Sequence, residues 1–167
     1  MHRLRWAAVA LAGLAGLGGA GPARGAGPPP TEAHGTNFLL ESQLDSNFCI
    51  EAANGTGEGR TLTLQQCLGA DTQRWALPLN SDDTNLIVDS QGMCLDGRST
   101  KANEGLPIPV AKCGSSKTWR FVVTSAGQLM TARRNLCLSI PGAASNAVVS
   151  LAPCDATRQG QLWSLAH

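Results

Sequence analysis

The stretch from Cys137 to Trp163 opens with Cys137-Leu138-Ser139, passes through Val148-Val149-Ser150-Leu151-Ala152-Pro153 to Cys154, and ends in Gln161-Leu162-Trp163. The same order occurs twice upstream. The first copy is Cys49-Ile50-Glu51, Leu62-Thr63-Leu64-Gln65-Gln66, Cys67 and Gln73-Arg74-Trp75. The second is Cys94-Leu95-Asp96, Ile108-Pro109-Val110-Ala111-Lys112, Cys113 and Lys117-Thr118-Trp119. Trp75, Trp119 and Trp163 are spaced 44 residues apart, both times. A fixed period of this size marks a fold assembled from repeated units that bury a shared core. It predicts equivalent core positions for the three tryptophans.

Each unit reads as β. The runs are short, alternate with period two, and are broken every ten residues or so by Gly, Asn, Asp and Ser turns. Examples are Asn54-Gly55, Asp96-Gly97, Asn103-Glu104-Gly105 and Pro141-Gly142. No segment carries sustained helical periodicity. Units of about 40 residues cannot each bury a face alone; three packed around one axis can form a closed all-β structure without open sheet edges.

All six cysteines lie beyond residue 48. Ahead of them, His2, Arg3 and Arg5 give a basic start, Trp6 to Gly19 is uncharged and apolar, and Ala20 to Ala26 is rich in small residues. That is the layout of a secretory signal peptide, expected over residues 1–25 with cleavage between Ala20 and Ala26. The apolar run of 14 residues is short of the roughly 20 a spanning helix needs. Residues 26–35, with Gly27 to Pro30, read as a disordered spacer before a domain at 36–167, its repeats at about 36–80, 81–124 and 125–167. An even cysteine count behind an export signal implies disulfides and an extracellular setting. Six cysteines allow 15 connectivities, and the repeat selects the one that pairs within each unit: 49–67, 94–113 and 137–154. Zinc is disfavoured because no Cys-x-x-Cys pair is present, and His2, His34 and His167 lie outside the cysteine-bearing region.

Without its first 25 residues the chain loses three of 13 basic residues, which leaves ten against 12 acidic ones and a net charge of about −2. The charges are scattered, with no basic run to grip phosphates, so nucleic acid is not an expected partner. After cleavage, no membrane partner is expected either.

Cys-Leu-Asp, an alternating segment ending in Cys, and Gln-x-Trp, three times at this period, resemble the ricin-type β-trefoil lectin repeat over roughly Thr36 to His167. The layout of one leader and one lone trefoil is similar to small secreted lectins of actinobacteria and mycobacteria. The resemblance implies sugar binding without calcium or any other cofactor. It also implies where: an Asp two residues after the first Cys, an aromatic two residues before the second, and an Asn beside the Gln of Gln-x-Trp. The acid accepts bonds from two sugar hydroxyls, the ring stacks on a C–H face, and the amide donates to another hydroxyl.

No repeat keeps the whole set. The first has Glu51, Gln65 and Thr72 with Gln73; the second has Asp96, Ala111 and Ser116 with Lys117; the third has Ser139, Ala152 and Gly160 with Gln161. The chain has no Tyr, and Phe38, Phe48 and Phe121 are not at the stacking position. The second repeat ranks first because it keeps the family acid, and the first follows closely. Asp96 equally reads as a turn residue in Asp96-Gly97. Gln73 and Gln161 read foremost as amides that tie local backbone beside a core Trp. The expected function is a carbohydrate-binding module with partly degenerate sites, candidate contacts being Asp96, Glu51, Gln65, Gln73 and Gln161. The alternative is a trefoil that has lost sugar binding and docks a protein. Catalysis is not expected: His34 in the spacer and the terminal His167 are poor general bases. Asn54-Gly55-Thr56 fits the N-glycosylation triplet and otherwise reads as a turn.

Overall fold

The computed structural model describes residues 36–53, 57–78, 82–98 and 105–167. The leader and spacer, the Asn54-Gly55-Thr56 triplet and most of the Asn103-Glu104-Gly105 turn lie outside the described residues. The first repeat comprises β1 (Thr36–Ser42), β2 (Phe48–Ala52), β3 (Leu62–Gln66), a one-turn 3-10 helix (Asp71–Gln73) and β4 (Arg74–Ala76). The second comprises β5 (Val88–Asp89), β6 (Met93–Leu95), β7 (Val110–Lys112), a 3-10 turn (Lys117–Trp119) and β8 (Phe121–Val123). The third comprises β9 (Leu129–Thr131), β10 (Leu136–Ser139), β11 (Ser150–Pro153), a 3-10 turn (Gln159–Gln161) and β12 (Trp163–Ala166).

The pairing makes these a β-trefoil. β1 pairs with both β4 and β12, β4 with β5, and β8 with β9, all antiparallel. Asn85, just ahead of β5, bridges to Phe121 of β8, and Trp163 N donates to Gly127 O, just ahead of β9. The ring of outer strands is thereby closed, which removes exposed edges. The hairpins β2–β3, β6–β7 and β10–β11 cap one end. There Leu62 N donates to Ile108 O (2.8 Å), Ile108 N to Val149 O (3.0 Å), and Val149 N back to Leu62 O (3.2 Å). These three residues each lie five positions before the second cysteine of their repeat. The cyclic triangle of main-chain bonds is the repeat's threefold axis.

Alternation sorts the side chains. In β2, Ile50 and Ala52 are fully buried, and in β3 so are Leu62 and Leu64, while Cys49, Glu51, Thr63 and Gln65 take the opposite face. Each fully buried aliphatic side chain contributes about 1.5–3 kcal/mol of transfer free energy. The bridges Cys49–Cys67, Cys94–Cys113 and Cys137–Cys154 each clamp a hairpin to the loop beyond it. Between repeats, buried Arg60 pairs with buried Asp89; Arg60 Nε also donates to Gly57 O (2.9 Å), and Asp89 Oδ1 accepts from Gln91 N and Met93 N, both at 2.9 Å. A buried pair needs such additional partners to offset its desolvation.

The tryptophans do not take three equivalent positions. Trp75 and Trp163 lie in the main core and donate from Nε1 to Ile50 O (3.1 Å) and Leu138 O (3.3 Å), each the residue after a repeat's first cysteine. The third such position is filled by Phe121, which pairs with Thr131 as Trp75 pairs with Asp89. Trp119 instead ends its 3-10 turn, where Gln73 and Gln161 end theirs, and packs in a separate cluster with Cys94 and Ala111. Loop length is the reason. From the second cysteine, Trp75 and Phe121 are both eight residues on, and Trp119 only six. Gly114 makes room for the displaced ring: a Cβ there would meet Trp119 Cδ1 at 2.7 Å.

Candidate functional site

The outer faces of the three cap hairpins carry the residues at the family's sugar positions, and each face is built differently.

In the first repeat Glu51 is half-buried on β2, directly opposite Thr63 of β3. Gln73, buried at the end of its 3-10 turn, organises the loop: its Oε1 accepts from Leu68 N (2.9 Å) and Gly69 N (3.1 Å), and its Nε2 donates to Gln66 O (2.7 Å). The same Nε2 donates to Glu51 Oε2 at 2.9 Å. Gln73 therefore ties backbone, as the sequence suggests, and also aims the acid. That bond is the only one Glu51 makes among the described residues, so Oε1 keeps its acceptor capacity. Thr63 Oγ1 is buried and has no hydrogen-bond partner among the described residues. Gln65 shares this face, but its Nε2 reaches across to Asn146 Oδ1 of the third repeat at 2.8 Å. Thr72 lies within the 3-10 turn beside Gln73.

In the second repeat Asp96 is folded back on its own turn. Oδ1 accepts from Arg98 N (3.0 Å) and Arg98 Nε (2.9 Å), and Oδ2 from Arg98 Nη2 (2.7 Å). The Arg98 guanidinium holds the Asp96 carboxyl below its ordinary range, against the opposing pull of partial burial. The guanidinium also lies 4.2 Å from the centroid of the Trp119 ring. Trp119 and Ala111 are both buried. The ring occupies the place of the missing Gln amide, and Arg98 covers it. Arg98 was not legible as a site residue; the Asp96-Gly97 turn hints at the bond to its N–H but not at the fork or the stacking. Lys117 and Arg120 bind Asp82 at 2.9 and 3.2 Å, which anchors this 3-10 turn to the segment before β5.

In the third repeat Ser139 and Ala152 are buried. Gln161, with no exposed surface, donates to Pro153 O (2.9 Å) and accepts from Asp155 N (2.8 Å) and Gln128 Nε2 (3.0 Å). Its oxygen accepts twice and its nitrogen is held by the backbone, so the amide serves structure. Gly160 replaces Asn because a Cβ there would run into the carbonyl oxygen of Ile140, whose N–H donates to Gly160 O. Beside it, Ser139, Ser150, Ile140, Pro141, Gly105 and Arg158 line a cavity of about 170 Å³.

Elsewhere a cavity of about 280 Å³ opens among Asn37, Arg74, Trp75, Ala76, Asp89 and Ser90. Glu41, Cys49 and Cys67 converge, but both sulfurs are committed to a disulfide and offer no thiolate to a metal. Among the described residues no helix is long and apolar enough to cross a membrane.

Known structures share this architecture at low identity. The designed threefold-symmetric protein ThreeFoil superposes with a TM-score of 0.69 at 17% identity, covering 78% of this chain and 98% of that one. The earthworm R-type lectin C-half, solved in complex with GalNAc, gives 0.60 at 11% identity over 78% of this chain and 98% of that one. The Polyporus squamosus lectin, solved with the epitope Neu5Aca2-6Galb1-4GlcNAc, gives 0.67 at 11% identity over 80% of this chain and 49% of that one; this chain spans about half its length. No curated protein sequence matches the chain. The model of the ricin-type beta-trefoil lectin domain matches residues 82–167, the second and third repeats with their displaced tryptophan and their spent glutamine. With that match over half its length, the chain belongs to the ricin-type β-trefoil lectin domain family.

Proposed function

We propose that this chain is a secreted carbohydrate-binding module, not an enzyme, whose working sugar contact is on the first repeat. The observation that carries this is the Glu51 carboxylate, held by Gln73 Nε2 at 2.9 Å through one oxygen only. Asp96, by contrast, has both oxygens engaged by Arg98. Glu51 Oε1 can accept from sugar hydroxyls, and the Thr63 hydroxyl, unpartnered among the described residues, stands directly across from it. The Gln65 amide is within the same face and needs only to release Asn146.

No aromatic stands at the stacking position of this face, which costs a site about 1–3 kcal/mol if sugar stacking resembles base–aromatic stacking. A single contact is therefore weak, and strength comes from several copies engaging one polysaccharide. Secretion rests on the basic start and apolar run at the N-terminus together with three disulfides. Sugars such as GalNAc, bound by the earthworm lectin, are the first ligands to try. A crystal soaked in GalNAc or galactose tests the reading: sugar hydroxyls within 3.2 Å of Glu51 are expected, and sugar bound elsewhere with Glu51 untouched would overturn it.

A protein-docking role is the second reading. It is favoured by Leu68, 80% exposed on the loop that Gln73 holds. Binding of a protein partner that is insensitive to deglycosylation and to Glu51→Ala and Asp96→Ala would establish it over the first.

A further inference from the structure

Strand β1 bulges at one residue. Thr36 stands opposite Ala76 and Phe38 opposite Trp75, so Asn37 is extra in the ladder, and it takes a left-handed φ of 75°. The bulge turns the Asn37 carbonyl to Arg74, whose Nη1 donates to it at 3.4 Å. Arg74 Nε donates to Gly69 O at 3.2 Å, in the loop that Gln73 holds. Two main-chain carbonyls thus fix a half-buried side chain, and no carboxylate pairs with its guanidinium among the described residues. Its Nη2 has no acceptor among them either. The guanidinium lines the cavity of about 280 Å³ together with Asn37, Trp75, Ala76, Asp89 and Ser90. The side-chain amide of Asn37 and the hydroxyl of Ser90, both on exposed residues, make no hydrogen bond among the described residues. The Asp89 carboxylate, by contrast, is committed to Arg60 and to the N–H groups of Gln91 and Met93, which fixes the turn that carries Ser90.

Three uncommitted polar groups, from β1, β4 and the β5–β6 turn, therefore converge on one cavity whose carboxylate is already engaged. A few convergent polar groups on a partly apolar wall are what a small-molecule site requires. A held guanidinium without a counter-charge favours an anion, and its planar fork matches a carboxylate. A single cation balances one negative charge and leaves a phosphate dianion half compensated. The volume lies just below the roughly 300 Å³ at which drug-sized pockets begin, which suits one ring. We infer that this cavity takes a small monocarboxylate with an apolar body of one ring. Arg74 Nη2 donates to the carboxylate, the Asn37 amide and the Ser90 hydroxyl donate beside it, and the body lies on the wall that Ala76 and Trp75 provide. The site is built by the outer strands at the junction of the first and second repeats, away from the cap hairpins, and it stands independently of the saccharide reading.

Amide NMR shifts of the disulfide-intact chain, titrated with sodium benzoate, benzyl alcohol and inorganic phosphate, provide the test. Benzoate should shift the Asn37, Ala76 and Ser90 amides saturably, with benzyl alcohol and phosphate weaker by about tenfold or more. Arg74→Gln should weaken benzoate by about tenfold or more. Asn37→Gly keeps a residue suited to the left-handed backbone, and Ser90→Ala alters an exposed side chain; each should weaken benzoate by about threefold or more. These two variants decide the matter should Arg74→Gln lose its fold. Glu51→Gln should leave benzoate binding intact, so this site and the sugar site are read separately. No saturable shift, an equal response to benzyl alcohol or phosphate, or benzoate binding unchanged in Asn37→Gly and Ser90→Ala would overturn the proposal.

Discussion

Arg98 carries its guanidinium carbon 4.2 Å from the centroid of the Trp119 ring while its fork engages both oxygens of Asp96. One side chain thus occupies the aromatic surface and the acid that a sugar would need together. Truncation by Arg98→Ala should uncover the ring. Acrylamide quenching of tryptophan fluorescence is expected to rise, with stability lower by only about 0.5–1 kcal/mol, since the cation is half exposed. Unchanged quenching would mean that Arg98 does not cover the ring.

Three carboxylates make stability depend on acid, Asp155 among them because it accepts from the Thr157 hydroxyl and N–H. Asp82 is pushed well down by the Thr84 hydroxyl, then by Lys117 and Arg120, and Asp96 is lowered by Arg98. A carboxyl whose folded value lies below its unfolded one stabilises the fold fully above the unfolded value, ordinarily 3.8, and that contribution is lost as pH falls through the folded value. The melting temperature is therefore expected to hold down to about pH 4 and to fall below it. Asp82→Asn and Asp96→Asn should each give a shallower decline between pH 4 and pH 2. Parallel wild-type and variant curves would contradict the assignment.

Gln161 and Gly160 show why the third repeat departs from the lectin pattern. Gln161→Ala leaves Gln128 Nε2 without its partner in a buried setting, which costs about 1–3 kcal/mol, and takes the partner from Asp155 N–H and Pro153 C=O at part-buried positions, which adds less. Gly160→Asn, which restores the family residue, should destabilise by a comparable amount because the obstacle is the backbone carbonyl of Ile140. Urea denaturation measures both; a neutral Gly160→Asn would show that the carbonyl can yield.

The triangle of Leu62, Ile108 and Val149 joins all three repeats through main-chain bonds alone. Opening any one of these amides requires the hairpins to part. Their hydrogen exchange is expected to be among the slowest in the chain and to report global unfolding. Fast exchange at any of the three would indicate that the repeats open independently.

Much of this was legible in the chain. The alternation around each second cysteine specifies the cap hairpins, and the repeat selects the disulfides. In the second repeat the 44-residue spacing points to Trp119 as the core residue, and the structure places Phe121 there instead. Counting from Cys113 instead gives Phe121 the core place, since eight residues separate Cys67 from Trp75 as well. Tertiary partners were not legible at all. That Gln65 bonds Asn146, 81 residues away, depends on how the first and third hairpins meet at the axis. The stacking of Arg98 on Trp119 depends on a ring displaced from its expected position, and no local pattern encodes it.

The most direct test of the account is a glycan array probed with the multimerised, disulfide-intact chain and its Glu51→Gln and Asp96→Asn variants. Glu51→Gln preserves a partner for Gln73 and removes only the charge. The account predicts binding to neutral glycans that falls about tenfold or more in Glu51→Gln and persists in Asp96→Asn. Equal binding by Glu51→Gln, or loss confined to Asp96→Asn, would contradict it.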